Sequence, residues 1–162
     1  MDNNEKVLKK AREHRADTLA FLKKLKRIKP QALDQAFQQA HDEVFAQTDC
    51  LACANCCKTT SPIFRDVDID RLAKALRIKP SAFTERYLHL DEDGHWVLQQ
   101  NPCAFLLPDN RCSVYDHRPG ACREYPHTNR KKMHQLLTLT ARNAEVCPAV
   151  WHIVEKLNEI GS

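Results

Sequence analysis

The chain has 162 residues, enough for one domain with an extension and enough to bury an apolar core without metal or disulfide staples. Its formal charge of +4 is too mild to name a partner, and its three glycines (Gly94, Gly120, Gly161) lie far apart. That excludes the Gly-rich phosphate loops of Rossmann and P-loop nucleotide enzymes. No apolar run approaches the roughly 18 residues of a membrane span, and Met1–Lys6 leads into no secretory core. A soluble, cytoplasmic protein without membrane insertion is expected.

Residues 5–28 carry Val7, Leu8, Ala11, Thr18, Leu22, Leu25 and Ile28 on one broad face, which predicts a single helix ending before Lys29-Pro30. Leu33, Ala36, Phe37, Ala40 and Val44 repeat at the helical period and predict a second helix running into Thr48-Asp49. Residues 1–29 hold ten Lys/Arg against four Asp/Glu, a net of +6, and the remainder of the chain is net −2. This basic arm offers a surface for a protein partner. Nucleic acid is disfavoured, because only Phe21 interrupts the charges and bases would find no stacking platform.

Cysteines then begin abruptly: Cys50, Cys53, Cys56 and Cys57, followed by Cys103, Cys112, Cys122 and Cys147. Between them, Asp66 or Asp68 can cap a helix through Leu76, and Pro80 opens a short helix to Tyr87. The Asp66-x-Asp68-x-Asp70 spacing is no calcium loop, since Arg71 stands where the turn needs glycine and Arg77 where the bidentate glutamate belongs. Asp91–Gly94 is a turn between strands at 88–90 and 95–99, and Pro108–Asn110 predicts a second hairpin pairing 104–107 with 112–115. A short helix around 119–124 carries Cys122, residues 126–134 read as an exposed basic loop, and Ala149–Ile160 forms an amphipathic helix. The expected fold is mainly helical α+β. An N-terminal helical hairpin (residues 1–47) packs on a small cysteine-rich metal-binding domain (48–162) with short β-hairpins.

Thiols in a reducing cytosol do not persist as disulfides, so eight of them point to metal or redox chemistry. A Cys-x-x-Cys step sets two sulfurs at the separation a tetrahedral ion requires. Here two steps share Cys53, a spacing closer to ferredoxin-like cluster runs than to paired zinc knuckles, and Cys147-Pro148 has the form of a remote cluster cysteine. Zinc and iron, including an iron–sulfur cluster, therefore both stand as cofactors. Cys50, Cys53, Cys56, Cys57, Cys103, Cys112, Cys122 and Cys147 are the candidate metal ligands. Adjacent side chains diverge, so Cys56 and Cys57 do not readily serve one small ion. Arg111, Arg118 and Arg123 flank cysteines and can offset thiolate charge. The histidines form no zincin pair.

The run Cys50-x-x-Cys53-x-x-Cys56-Cys57 resembles the signature of the CxxCxxCC family of bacterial cysteine-cluster proteins, often called YkgJ-like. The resemblance continues through Pro102–Leu106, Cys112–Pro119, Cys122–Pro126 and Cys147-Pro148, with Asn55 where the family usually has glycine. It implies a zinc- or iron-chelating domain, with Tyr115, Arg118, Pro119 and Arg123 as supports. A similar module within flagellin lysine-methylating enzymes suggests a link to protein methylation. Metal chelation is the primary reading, and a metal- or cluster-dependent enzyme or redox component is the alternative; no catalytic residue is assigned.

Overall fold

The computed structural model describes residues 2–160, leaving Met1, Gly161 and Ser162 of the expected domains outside. Its contacts group residues 2–49 with 126–160 as one unit and residues 50–125 as another. Residues 126–160 thus group with the N-terminal helices and not with the cysteine-rich segment. The fold is mainly helical α+β.

In the first unit, α1 (Asn3–Glu13) opens with a capping box: Glu5 N–H donates to Asp2 Oδ1 at 2.8 Å, and Asp2 N–H to Glu5 Oε2 at 3.2 Å. The single helix expected over residues 5–28 is broken at His14 (φ −102°, ψ 20°), and α2 (Arg15–Lys24) follows, ending in a 3-10 turn at Leu25–Arg27. The two pieces answer to different partners. Lys10 reaches Glu155 at 3.5 Å, whereas Arg15 Nε donates to Glu145 Oε1 at 2.7 Å. α3 (Pro30–Phe45) has proline in its first turn and buries Leu33, Phe37, Ala40 and Val44, on the predicted face. It packs on α10 (Pro148–Ile160), whose Val150, Ile153, Val154 and Leu157 are buried as expected. An unpredicted helix, α9 (Leu137–Asn143), packs on α2.

The loop expected to be exposed at 126–134 is only partly so. Arg130, Lys131 and Lys132 face solvent, but Thr128 and Met133 are fully buried. Thr128 Oγ1 lies 2.7 Å from His41 Nδ1, and the Asp34 carboxylate accepts the N–H groups of Lys132 (2.9 Å) and Met133 (2.8 Å). The loop is bonded to the flank of α3 in place of trailing in water.

The second unit holds two very short helices, α4 (Cys50–Cys53) and α5 (Asn55–Thr59), then α6 (Asp66–Leu76) and α7 (Pro80–Tyr87). Arg65, not an aspartate, is the cap residue of α6, and Asp68 sits one turn in, accepting Arg65 N–H at 2.9 Å. Strands β1 (Leu88–Leu90) and β2 (Trp96–Leu98) form the first predicted hairpin, in the register Leu88↔Leu98, His89↔Val97, Leu90↔Trp96. Gly94 takes the left-handed geometry (φ +79°) that closes its turn. The second predicted hairpin is reduced to one isolated bridge, Leu106↔Cys112. A separate apolar core of Phe64, Ile69, Leu72, Phe83, Leu88, Leu98, Phe105 and Val114 lies beneath, with Phe83 and Phe105 stacked at 6.1 Å. Last comes α8 (Gly120–Glu124), carrying Cys122.

Candidate metal centre

Seven of the eight cysteines lie in the second unit, and among the described residues no disulfide joins any of the eight. Cys147 belongs to the first unit, where it is half-buried against the helical core just before α10.

The first run is shaped by one reversal. Ala54 N–H bonds to Cys50 O at 2.8 Å and closes the turn of α4. Ala54 itself is left-handed (φ 47°, ψ 18°), and the chain re-enters a helix at Asn55. The left-handed residue of the motif is therefore Ala54, and Asn55, where the family's glycine was expected, begins α5. Cys50, Cys53 and Cys56 are distributed around these two turns, and the Cys56 and Cys57 thiols are hydrogen-bonded to each other, so these adjacent side chains do not diverge as expected.

Cys57 also anchors the second cysteine segment through its backbone, whose carbonyl accepts Cys103 N–H at 2.8 Å. Asn110 (φ 68°) reaches back from the following turn, donating Nδ2–H to Leu51 O at 2.6 Å. Beyond these anchors the backbone turns toward sulfur. The amides of Phe105 and Leu106 point at the Cys103 thiol, and that of Val114 points at Cys112. Such N–H donors stabilise the thiolate form. Cys122, on α8, completes the group and feels the charges of Cys57, Cys103 and Cys112.

Burial pushes Cys103 and Cys112 above the ordinary thiol range despite these amides. Cys57 is raised by the Cys56 thiol bond, by burial and by the Cys56 charge. Cys122 is pushed up to about 12, first by burial and then by its three sulfur neighbours. Arg118 opposes the rise at Cys57, Cys112 and Cys122. Its guanidinium lies 3.8 Å from the Tyr115 ring centroid and donates Nε–H to Tyr115 O at 3.0 Å. The other two flanking arginines are engaged elsewhere, Arg111 with Asp109 (3.5 Å) and Arg123 with Asp116 O (3.3 Å). One guanidinium does not balance four thiolates. The donor set suits a cation that prefers sulfur, and zinc and iron both do.

The cysteine signature and the downstream segments match the family described as a putative zinc- or iron-chelating domain over residues 49–148. The chain belongs to the CxxCxxCC family. The matched stretch takes in all eight cysteines. No curated protein and no solved structure matches the chain.

Sequence reasoning did not find what supports this pocket. Asp68 is fully buried and accepts hydrogen bonds from Arg65 N–H, from Arg71 Nη2 (2.8 Å) and from Gly120 N–H (3.1 Å), with Arg65 Nε at 3.6 Å. Burial alone would raise its pKa, but these donors and the Arg65 charge outweigh that and hold the carboxyl below the usual range. The only sequence signal was an acid near a helix start, which occurs at most helices. Among the described residues, the group whose ligand atoms all lie within 4.8 Å of one another is Asp91, Asp93 and His95, with Asp93 and His95 exposed; no three cysteine sulfurs stand that close together. Asp91 there caps its own turn, accepting the N–H groups of Asp93 and His95 at 2.9 Å each.

Proposed function

We propose that this protein binds zinc or iron through its cysteine thiols, with Cys57, Cys103, Cys112 and Cys122 as one four-sulfur set. What supports the reading is the family's chelating description over residues 49–148, the backbone bond that ties Cys103 to Cys57, and the charge coupling of Cys122 to Cys57, Cys103 and Cys112. Half-buried thiols with raised pKa values resist ionising alone, and a metal ion supplies the charge that makes four thiolates compatible. The protein residues fix which sulfurs meet, orient them by N–H donors, and limit access by water.

Cys50, Cys53 and Cys56 offer a second set of donors on consecutive turns. Their spacing supports an iron–sulfur cluster as the second reading, and with it redox chemistry or a link to methyl transfer. Among the described residues no helix is long and apolar enough to cross a membrane. The basic arm remains the surface proposed for a protein partner, in the cytoplasm.

The test is anaerobic purification followed by metal analysis and an absorption spectrum. The expected result is zinc or iron at one or more equivalents, with content falling on substitution of Cys57, Cys103, Cys112 or Cys122 by serine. Visible absorption would identify a cluster. Protein that takes up neither metal, or serine variants with undiminished metal, would overturn the proposal.

A further inference from the structure

We infer that Asp68 is a positioning residue for the thiol pocket, holding the segment that delivers Arg118 and Cys122 to it; this rests on the reading of the pocket as a metal site. Capping α6 needs one carboxylate oxygen, and Asp68 Oδ2 meets that need by accepting Arg65 N–H. The other oxygen is directed away from the helix's own start. Oδ1 accepts Arg71 Nη2 and the backbone N–H of Gly120.

Arg71, so fixed, donates onward to Arg118 O at 2.8 Å and to His117 O at 3.4 Å. A buried carboxylate on α6 thereby grips both sides of Pro119, one side through a guanidinium and the other directly. The gripped residues are the ones that matter to the sulfurs. The Arg118 charge favours the thiolate form of Cys57, Cys112 and Cys122, and Gly120 is the first residue of the helix that carries Cys122. Gly120 also lets the Arg65 guanidinium lie over it, a Cβ there standing 2.6 Å from Arg65 Nη2, the far end of an exposed side chain. Support of this kind typically changes metal affinity by about 10–100-fold when removed.

Asp68→Asn keeps the shape but turns one acceptor into a donor facing donors, and Arg71→Gln cuts the onward grip together with one donor to Asp68 Oδ1, leaving the Gly120 bond in place. The probe is Co²⁺, whose sulfur-to-metal charge-transfer intensity reports the number of thiolate ligands, followed by Zn²⁺ competition against a chelator. Leu72→Ala, in the apolar core of the same helix and outside the network, is the control for general loosening.

Wild-type protein should show the charge-transfer band of a four-thiolate site. Asp68→Asn should lose about one quarter of it, one thiolate in four, and bind Zn²⁺ about 10–100-fold more weakly. Arg71→Gln should shift both readouts in the same direction by less. Leu72→Ala should lower the thermal midpoint and leave the band intact. If Asp68→Asn and Arg71→Gln both match wild type, or if Leu72→Ala loses the band in proportion to its lost stability, Asp68 is not a positioning residue although the metal site stands. Wild-type protein that shows no thiolate band and takes up no Zn²⁺ would overturn the metal reading and this inference together.

Discussion

The two units are held together by different physics. The helical unit closes a continuous apolar core, in which Leu22, Leu33, Phe37, Met133, Leu137, Val150 and Ile153 are almost wholly shielded from water. The cysteine unit has a smaller apolar core and spends much of its remaining interior on thiols and on the buried carboxylate of Asp68. Apolar burial stabilises without further conditions, at about 25 cal/mol per Å². Buried thiols and carboxylates stabilise only while their partners are present. The helical unit should therefore be indifferent to metal where the cysteine unit is not. Each unit carries one tryptophan, Trp151 and Trp96 respectively, so single-tryptophan variants read them separately.

The largest expected contrast is metal removal. Structural thiolate sites contribute on the order of 10 kcal/mol, comparable to the whole net stability of an ordinary domain. Chelator-treated protein under reducing conditions should lose amide protection across residues 50–125 and keep it in α3 and α10. Hydrogen exchange read by mass spectrometry checks this, and equal loss in both units would break the contrast. Metal loading should also release protons, about one per thiol at neutral pH, because each ligand must ionise.

Core truncation comes next and should be local. Phe83→Ala removes a fully buried ring from the cysteine unit and should cost about 3–5 kcal/mol; Leu33→Ala in the helical unit should cost about 2–5 kcal/mol. Phe83→Ala should lower metal retention, and Leu33→Ala should leave metal content unchanged. Denaturant unfolding with metal analysis decides both.

Acid sharpens the comparison further. The folded-state pKa of Asp68 lies below its ordinary value of 3.8, so the unfolded chain takes up the proton first. Its contribution is fully present above about pH 4 and drains away as pH falls through the folded value. Trp96 fluorescence should therefore report acid loosening of the cysteine unit below about pH 4, and Asp68→Asn should flatten that dependence. The smallest effect is at the chain start: Asp2→Ala removes the α1 cap and should cost the helical unit about 1 kcal/mol without touching metal content.

How far the sequence reached follows the same division. α3 and α10 were legible because their apolar residues repeat at the helical period and proline marks each start. The 88–98 hairpin was legible from Asp-Gly at its turn. The break at His14 was not, since the pieces on either side of it pack on different helices, α10 and α9, far along the chain. Segment 104–115 has the pattern of a hairpin, yet the amides of Phe105, Leu106 and Val114 are turned to sulfur and cannot extend a ladder. Cysteine spacing announced the donors of the site. Nothing in the sequence distinguishes Asp68 from any other acid in a first turn, because its partners Arg71 and Gly120 are assembled only by the fold.

The helical unit is discontinuous, residues 2–49 and 126–160, with the whole cysteine unit between its parts. During synthesis this order has a consequence. α1, α2 and α3 leave the ribosome with their apolar faces bare, because α9 and α10 have not yet been made. The cysteine segment, with seven of the eight cysteines from Cys50 to Cys122, emerges next, ahead of α9 and α10. The last 35 or so residues then follow in roughly 2–7 s at ordinary elongation rates. Metal loading can thus precede closure of the helical core. A shortage of metal would leave two unfinished units on the nascent chain at once, which makes the metal supply a condition of the protein's yield as well as of its chemistry.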